Sequence, residues 1–349
     1  MVKVMICAGG TGGHINGALA IGEQFKKIGD DVLYVSGKRY LDFQLFKNQK
    51  RVIHLNAKAL RGKNALITLS HLLWNTLVFM QSLQLILREK PKYVVGCGGY
   101  ICGPTLFAAK LAGVKIAIIE QNAIAGMTNR LLSKISDKIF TCFDEVKGLH
   151  NKKIKNFGNP IRSSINFSEN KLGDGIKILI FGGSLGASQI NDMVEEIVKR
   201  YQGEVKLSIL HQVGENGSAA KSVNQLIIYE PKSYIDDIGK AYDECNIIIS
   251  RSGASTVSEL RVVQRPVFII PYPNAVDDHQ RANANALARE DLFPVEIADK
   301  EQSATMLAES FIKFLDKLQR EPSWLKPRSQ PKLQNSSEKI VADLKHDWN

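Results

Sequence analysis

"MICAGGTGGHINGALA", Met5 to Ala20, runs an apolar segment into four glycines and a histidine just before a helical pattern begins. Glycine lets backbone N–H groups approach an anion without interference from a Cβ, and the helix that follows presents its positive dipole end to the same place. A strand, a glycine loop and a helix in that order make a cradle for a phosphate. The order returns in "GIKILIFGGSLGASQINDMVEEIVKRY", Gly175 to Tyr201, so Gly9-Gly10-Thr11-Gly12-Gly13 and Gly182-Gly183-Ser184-Leu185-Gly186 hold equivalent places in two halves. Elsewhere short apolar runs ("DDVLYVSG", "KYVVGCGGY", "GVKIAIIEQN", "DKIFTCF", "RPVFIIPYP") alternate with helical patterns, the signature of parallel sheets covered on both faces. The expected fold is α/β: two Rossmann-like, doubly wound parallel-sheet domains facing a cleft onto which the C-terminal ends of both sheets open. The polar stretch "NFGNPIRSSINFSENKLGDG", Asn156 to Gly175, carries the boundary. We assign residues 1–160 to the first domain, 161–334 to the second, and 335–349 to a C-terminal segment with a helix from about Ser336 that packs back on the first domain.

The bulk properties fit that division. A chain of 349 residues exceeds one ordinary core, and 44% hydrophobic with 23% charged residues is a globular composition. A formal net charge of +11 implies an anionic partner: nucleic acid, an acidic membrane surface or a phosphorylated substrate. Against nucleic acid stand an aromatic content of 7% and the absence of a clustered basic helix. The five cysteines are scattered in apolar runs, which predicts buried thiols in a reducing compartment and neither disulfides nor a metal site. The N-terminus has no signal-peptide pattern.

"ALITLSHLLWNTLVFMQSLQLIL", Ala65 to Leu87, has no full charge, yet His71, Asn75, Gln81, Ser82 and Gln84 interrupt it, so a spanning helix is not expected. On a helical wheel Leu69, Leu72, Leu73, Met80, Leu83 and Leu87 form one arc with Phe79 near it, and Ile67, Trp74, Val78 and Leu85 form another. A helix packed on one sheet needs one such arc. Either the helix is buried on two sides or one arc rests on a membrane, with Arg61, Lys63, Arg88, Lys90 and Lys92 meeting anionic headgroups.

The glycine loops fit neither common nucleotide motif. The dinucleotide pattern started at Gly10 meets Ile15 where glycine is needed, and the Walker pattern started at Gly12 reaches Gly17 but continues Ala18-Leu19. A third loop, "GCGGYICGP" (Gly96 to Pro104), repeats the theme. Polar clusters close three other predicted strands or loops: "EQN" (Glu120 to Asn122), suited to sugar hydroxyls; "SRSGASTVSE" (Ser250 to Glu259), whose carboxylate suits a ribose diol; and "DDHQ" (Asp277 to Gln280).

In order and spacing, "AGGTGGH", "GCGGYICGP", "EQNAIAGMTN", "GNPIR", "GGSLGA", "SRSGASTVSE" and "DDHQ" resemble the MurG glycosyltransferase family over nearly the whole chain. The resemblance implies a GT-B architecture and inverting transfer of N-acetylglucosamine from UDP-N-acetylglucosamine to the C4 hydroxyl of an undecaprenyl-diphosphate-linked N-acetylmuramyl pentapeptide, in peptidoglycan synthesis. It also implies a peripheral enzyme on the cytoplasmic face of the bacterial cell membrane. Carried onto this chain, it puts Thr11, Gly12, Gly13, His14 and Asn122 at the donor sugar. Arg162 and Ser184 would hold the donor diphosphate and Ile235 would meet the uracil through its backbone. Ala254, Ser255, Thr256, Val257, Ser258 and Glu259, with Gln280, would complete the nucleotide pocket, Glu259 on the ribose. Gly10, Gly98, Gly99 and Tyr100 would take the acceptor diphosphate, and the Leu69, Leu73 and Phe79 side of the apolar helix, with Trp74 beside it, would touch the membrane.

Inverting transfer needs a base for the acceptor hydroxyl and a counter to the charge on departing UDP. His14, at the end of its loop and titrating near neutrality, is the expected base. Helix-start amides after Gly186 and Arg162 meet the leaving-group charge, so no metal and no cofactor are expected. The chain departs from the family pattern at Ile119 (commonly histidine), Leu185 (glutamine) and Gly17 (proline). The alternatives carried forward are an NADP-dependent oxidoreductase, with Lys38 and Arg39 of "SGKRY" on a 2′-phosphate, and a related UDP-sugar transferase with another acceptor.

Overall fold

The structure, a computed structural model, describes residues 1–59, 65–149, 153–161, 164–169, 173–183, 186–325 and 336–348. It divides into two compact units, Met1–Arg162 with Gln334–Asn349, and Ser163–Leu333.

The first unit runs β1 (Lys3–Cys7), α1 (Gly12–Lys27), β2 (Asp31–Ser36), α2 (Tyr40–Phe46), β3 (Val52–His54), α3 (Ala65–Glu89), β4 (Tyr93–Gly96), α4 (Cys102–Leu111), β5 (Lys115–Glu120), α5 (Met127–Leu132), β6 (Lys138–Thr141) and β7 (Ile154–Asn156). Its parallel sheet has the order β3-β2-β1-β4-β5-β6-β7. Because successive strand residues point to opposite faces, β1 sends Val4 and Ile6 to one core and Met5 and Cys7 to the other. The first core is closed by Ile15, Ile21 and Phe25 of α1, the second by Val78 and Ile86 of α3 and Leu106 of α4.

The second unit runs β8 (Ile176–Phe181), α6 (Ser188–Arg200), β9 (Leu207–Gln212), β10 (Ile227–Lys232), α7 (Ile238–Glu244), β11 (Ile247–Ser250), α8 (Ala254–Val263), β12 (Val267–Ile269), α9 (His279–Arg289), β13 (Val295–Ile297) and α10 (Ala304–Arg320). Its parallel sheet has the order β10-β9-β8-β11-β12-β13. Ile178 and Ile180 of β8 pack with Met193 and Ile197 of α6 and with Phe311 and Leu315 of α10. A last helix, α11 (Ser336–Trp348), belongs to the first unit and inserts Ile340, Val341 and Leu344 into the core around α1.

Both sheets are doubly wound and parallel. In each, chain order reverses between the first strand and its neighbour, at β1/β4 and at β8/β11, and ligands of such sheets bind outside the strand ends at that point.

The α3 helix shows one packed and one open side. Val78, Leu85 and Ile86 are buried, with Phe79 and Leu83 packed against the same core. Leu69, Leu72, Leu73, Leu77, Met80 and Leu87 are exposed, as is Trp74. Burial on two sides is therefore excluded, and Phe79 is corrected from the open patch to the packed side. Arg61 and Lys63 lie outside the described residues. Among the described residues no helix is long and apolar enough to cross a membrane, and all five cysteines are buried and unbridged.

Candidate active site

In the first unit, the β1–α1 and β4–α4 loops flank the switch point side by side. Gly9 N–H donates to the Gly98 carbonyl at 3.3 Å, joining the two loops. Thr11 is the N-cap of α1, its hydroxyl accepting from His14 N–H at 3.5 Å, so the first-turn amides of Gly12 and Gly13 have no intrahelical acceptor. His14 lies on the same turn, and its Nδ1 is 3.3 Å from the Gly9 carbonyl. A carbonyl only accepts, so this contact puts the proton on Nδ1 and leaves Nε2 of the neutral ring as the basic nitrogen. Gly98 makes room for the ring. Its φ is +109°, and a Cβ there would sit 2.6–2.7 Å from His14 Cδ2 and Nε2.

The "EQN" cluster ends β5 beside this turn, but its three side chains divide the work differently from the expectation that all face sugar hydroxyls. Glu120 is buried, and its carboxylate accepts from Asn122 N–H (3.0 Å), Asn122 Nδ2 (3.3 Å), Gly126 N–H (3.0 Å) and Asn129 Nδ2 (2.8 Å). It positions Asn122. Gln121 is buried too and donates to the Gly13 carbonyl at 3.2 Å, which fixes the start of α1. Asn122 alone is left partly exposed. Gly17 admits the Gln121 amide, since a Cβ there would lie 2.6 Å from Gln121 Nε2. Ile119 is buried in the core, so that departure from the family pattern alters packing and not the polar surface. Sequence reasoning passed over Asn159 of "GNPIR". It is 4% exposed, both carboxamide atoms lack a partner among the described residues, and Oδ1 is 4.0 Å from the Cβ position of Gly17.

The Gly10 amide is not open to a diphosphate, because it donates to the Oδ1 of buried Asp42 at 3.0 Å. Gly98 and Gly99 both adopt positive φ, and among the described residues the amides of Gly98, Gly99 and Tyr100 donate to no protein acceptor.

In the second unit, β8 and β11 bring the second glycine loop and "SRSG" to the other switch point. Gln212, ending β9, ties two candidate segments together: its Nε2 donates to the Gly183 carbonyl at 2.8 Å and its Oε1 accepts from Ile235 N–H at 3.0 Å. The amide of Ile235, a residue expected to meet the uracil through its backbone, is therefore spent within the protein. Ser252 joins the start of α8 to α9. Its hydroxyl donates to the Gln280 carbonyl (2.7 Å), its carbonyl accepts from Asn283 (3.1 Å), and Gln280 Oε1 accepts from Tyr272 N–H at 2.9 Å. Asp277 and Asp278, which lead into α9, both adopt left-handed backbone (φ +55° and +52°), a conformation that costs strain in residues other than glycine.

Along α8 the expected run from Ala254 to Glu259 splits by helical phase. The first-turn amides of Ala254, Ser255 and Thr256 have no intrahelical acceptor, and Ser255, Thr256 and Glu259 are partly exposed. Val257 and Ser258 are corrected: Val257 is wholly buried, and the buried Ser258 hydroxyl is spent on the Ala254 carbonyl at 2.9 Å. Glu259 Oε2 accepts from the buried hydroxyl of Tyr242 at 2.9 Å, a partner that sequence reasoning missed because it lies on another element, α7. Arg251, the second residue of "SRSG", is buried with Nη1 on Gln189, Ile270 and Pro271, and burial lowers it to about 10. Arg162, Ser184 and Leu185 lie outside the described residues. Among the described residues no group of three or more His, Cys, Asp or Glu is arranged to hold a metal.

Comparison with known proteins returns the same architecture. Residues 4–141 match the glycosyltransferase family 28 N-terminal domain and residues 177–344 the family 28 C-terminal domain. The chain is 34% identical over 295 residues, 82% of its length and 81% of the other, to the UDP-N-acetylglucosamine–N-acetylmuramyl-(pentapeptide) pyrophosphoryl-undecaprenol N-acetylglucosamine transferase of Shewanella denitrificans. It is 35% identical over 326 residues, 90% of its length and 91% of the other, to the protein of the same name from Ectopseudomonas mendocina. Among solved structures it superposes on MurG of Acinetobacter baumannii with a TM-score of 0.79 at 28% identity, over 99% of this chain and 100% of that one. The UDP-bound MnaA of S. aureus, 15% identical with a TM-score of 0.68 over 100% of this chain and 98% of that one, shares the fold alone. With two doubly wound units, a glycine loop at each switch point and this identity to relatives across most of its length, the chain belongs to the MurG family of glycosyltransferases.

Proposed function

We propose that the chain transfers N-acetylglucosamine from UDP-N-acetylglucosamine to the C4 hydroxyl of an undecaprenyl-diphosphate-linked N-acetylmuramyl pentapeptide, with inversion. The observation that carries this reading is the His14 ring, held through Nδ1 at the glycine loop with Nε2 as its basic nitrogen. His14 Nε2 takes the proton of the acceptor hydroxyl as its oxygen attacks the anomeric carbon. The bond from that carbon to the diphosphate oxygen breaks on the opposite face, and its electron pair leaves with UDP. The second unit holds the nucleotide: Ile235 on the base, Glu259 on the ribose hydroxyls, and the first-turn amides of α8 facing the developing diphosphate charge. Asn122, set by Glu120, orients the donor sugar.

The acceptor's lipid stays in the bilayer, so the enzyme must come to the surface. The open side of α3 suits that task, with Leu69, Leu73 and Leu77 entering the headgroup region and Trp74 at its edge. Exposed Lys90, just past the end of α3, adds attraction to anionic lipid. On this reading the protein is peripheral to the cytoplasmic face of the cell membrane.

Transfer from radiolabelled UDP-N-acetylglucosamine to the lipid-linked acceptor tests the reading. His14→Ala should lower kcat by about 10²–10⁴-fold, the usual contribution of a general base, with UDP affinity nearly unchanged. Near-normal turnover in that variant would remove His14 as the base, and absence of transfer by the unaltered protein would remove the function.

A further inference from the structure

Of the two cations of "SGKRY", Lys38 and Arg39, the second sits at the glycine loops. Buried Asp42 links it there: Oδ1 accepts from Gly10 N–H at 3.0 Å and Oδ2 from Arg39 N–H at 2.9 Å, so the N-cap of α2 and the β1–α1 loop are held by one carboxylate. The Arg39 guanidinium lies over the Tyr100 ring, 4.8 Å from its centre. A Cβ placed on Gly10 would be 3.1 Å from that ring and 3.9 Å from Arg39 Nη1. The side chain is exposed, and among the described residues its guanidinium makes no ion pair. This cation–π contact uses the charge and leaves guanidinium N–H groups to donate, in the fork that matches two phosphate oxygens. The open amides of Gly98, Gly99 and Tyr100 lie on the loop that carries this ring. Gly10 N–H, by contrast, is committed to Asp42.

We propose that Arg39, stacked on Tyr100 and anchored through Asp42, binds the diphosphate of the acceptor, and so sets affinity for acceptor and not for donor. The proposal rests on the acceptor assignment made above. Its test measures both substrates in Arg39→Gln and Arg39→Lys, with a water-soluble acceptor carrying a short isoprenyl chain so that membrane binding plays no part. Arg39→Gln should raise the acceptor KM by about 10–100-fold, the range for hydrogen bonds to a charged group, and leave the KM for UDP-N-acetylglucosamine within about twofold. Arg39→Lys should fall between, since it keeps the charge and loses the fork. An unchanged acceptor KM, or a fall in kcat alone, overturns the proposal. A second measurement does not depend on turnover: with UDP saturating, inorganic pyrophosphate should raise the melting temperature of the unaltered protein and not of Arg39→Gln, and equal protection of both overturns the proposal. If the unaltered protein transfers nothing to this acceptor, the proposed reaction is what fails, and the pyrophosphate measurement still decides Arg39.

Discussion

Glu259 stands on the second turn of α8 with Oε2 bonded to the Tyr242 hydroxyl at 2.9 Å, and that contact fixes which way its carboxylate faces. Two ribose hydroxyls bonding one anion make charge-assisted hydrogen bonds, stronger than neutral ones. Glu259→Gln keeps the shape and removes the charge, so donor affinity should fall by about 1.5–3 kcal/mol, or roughly 10–150-fold. Tyr242→Phe removes one hydrogen bond that positions the carboxylate, and should cost less, about 2–10-fold. Calorimetric titration with UDP reads both, and equal affinities across the three proteins would take Glu259 out of the nucleotide site. The same scale shows how residues of one motif separate. Glu120 and Gln121 are buried and spend their polar atoms inside the protein, while Asn122, next in the chain, remains at the surface. "EQN" was legible as a polar strand end, but which of its members faces a ligand depends on Gly13, Gly126 and Asn129, supplied by α1, by the turn before α5 and by α5 itself.

Among the elements, α3 departs furthest from an ordinary sheet-packed helix. Its packed side is sufficient to seat it, through Val78, Leu85, Ile86 and the partly buried Phe79. The segment preceding it adds a clasp on polar atoms: Asn75 bonds both the N–H and the carbonyl of Lys58, and Trp74 Nε1 donates to the Asn56 carbonyl at 2.6 Å. The opposite stripe makes no contribution to that seat. Leu73 and Leu77 are 62% and 57% exposed, so the double change Leu73→Ser and Leu77→Ser should alter stability by no more than about 1 kcal/mol. It should abolish flotation with anionic vesicles and leave UDP binding intact. Phe79→Ser should instead lower the melting temperature, because that ring packs on the core. Undiminished flotation of the double variant would place the membrane contact on another surface.

Across the whole molecule, the two units share a plan and differ in what they bury. The second unit encloses His211 on β9, wholly buried, its Nδ1 2.9 Å from the Tyr229 hydroxyl, and burial lowers its pKa to about 4. An unfolded histidine titrates near 6.5, so the unfolded chain binds this proton first as pH falls. The stability tied to neutral His211 is complete above about pH 6.5 and declines toward pH 4, with a slope of up to about 1.4 kcal/mol per pH unit. His211→Gln removes the titration. Urea midpoints of the two proteins, compared from pH 7 to pH 4, should converge as pH falls, and parallel curves would show that His211 does not titrate on unfolding.

The amino-acid sequence by itself determined the α/β class, the two parallel sheets, and the placing of glycine loops after β1, β4 and β8. Those features rest on local signals: the length of apolar runs, helical periodicity, and glycines that free the backbone near an anion. The three-residue edge strands β3, β7 and β13 escaped that reading, because a segment so short is a strand only by virtue of the neighbour it bonds. Tertiary structure alone decided which donors remain open and which apolar arc faces out. Gly10 loses its amide to Asp42, 32 residues away, and Ile235 loses its amide to Gln212, 23 residues away. On α3, two apolar arcs look alike on a helical wheel, and the choice between them fell to the sheet and to α4, which have room to cover only one. A backbone donor's availability and a side chain's exposure are properties of the partner, and the partner is brought by the fold.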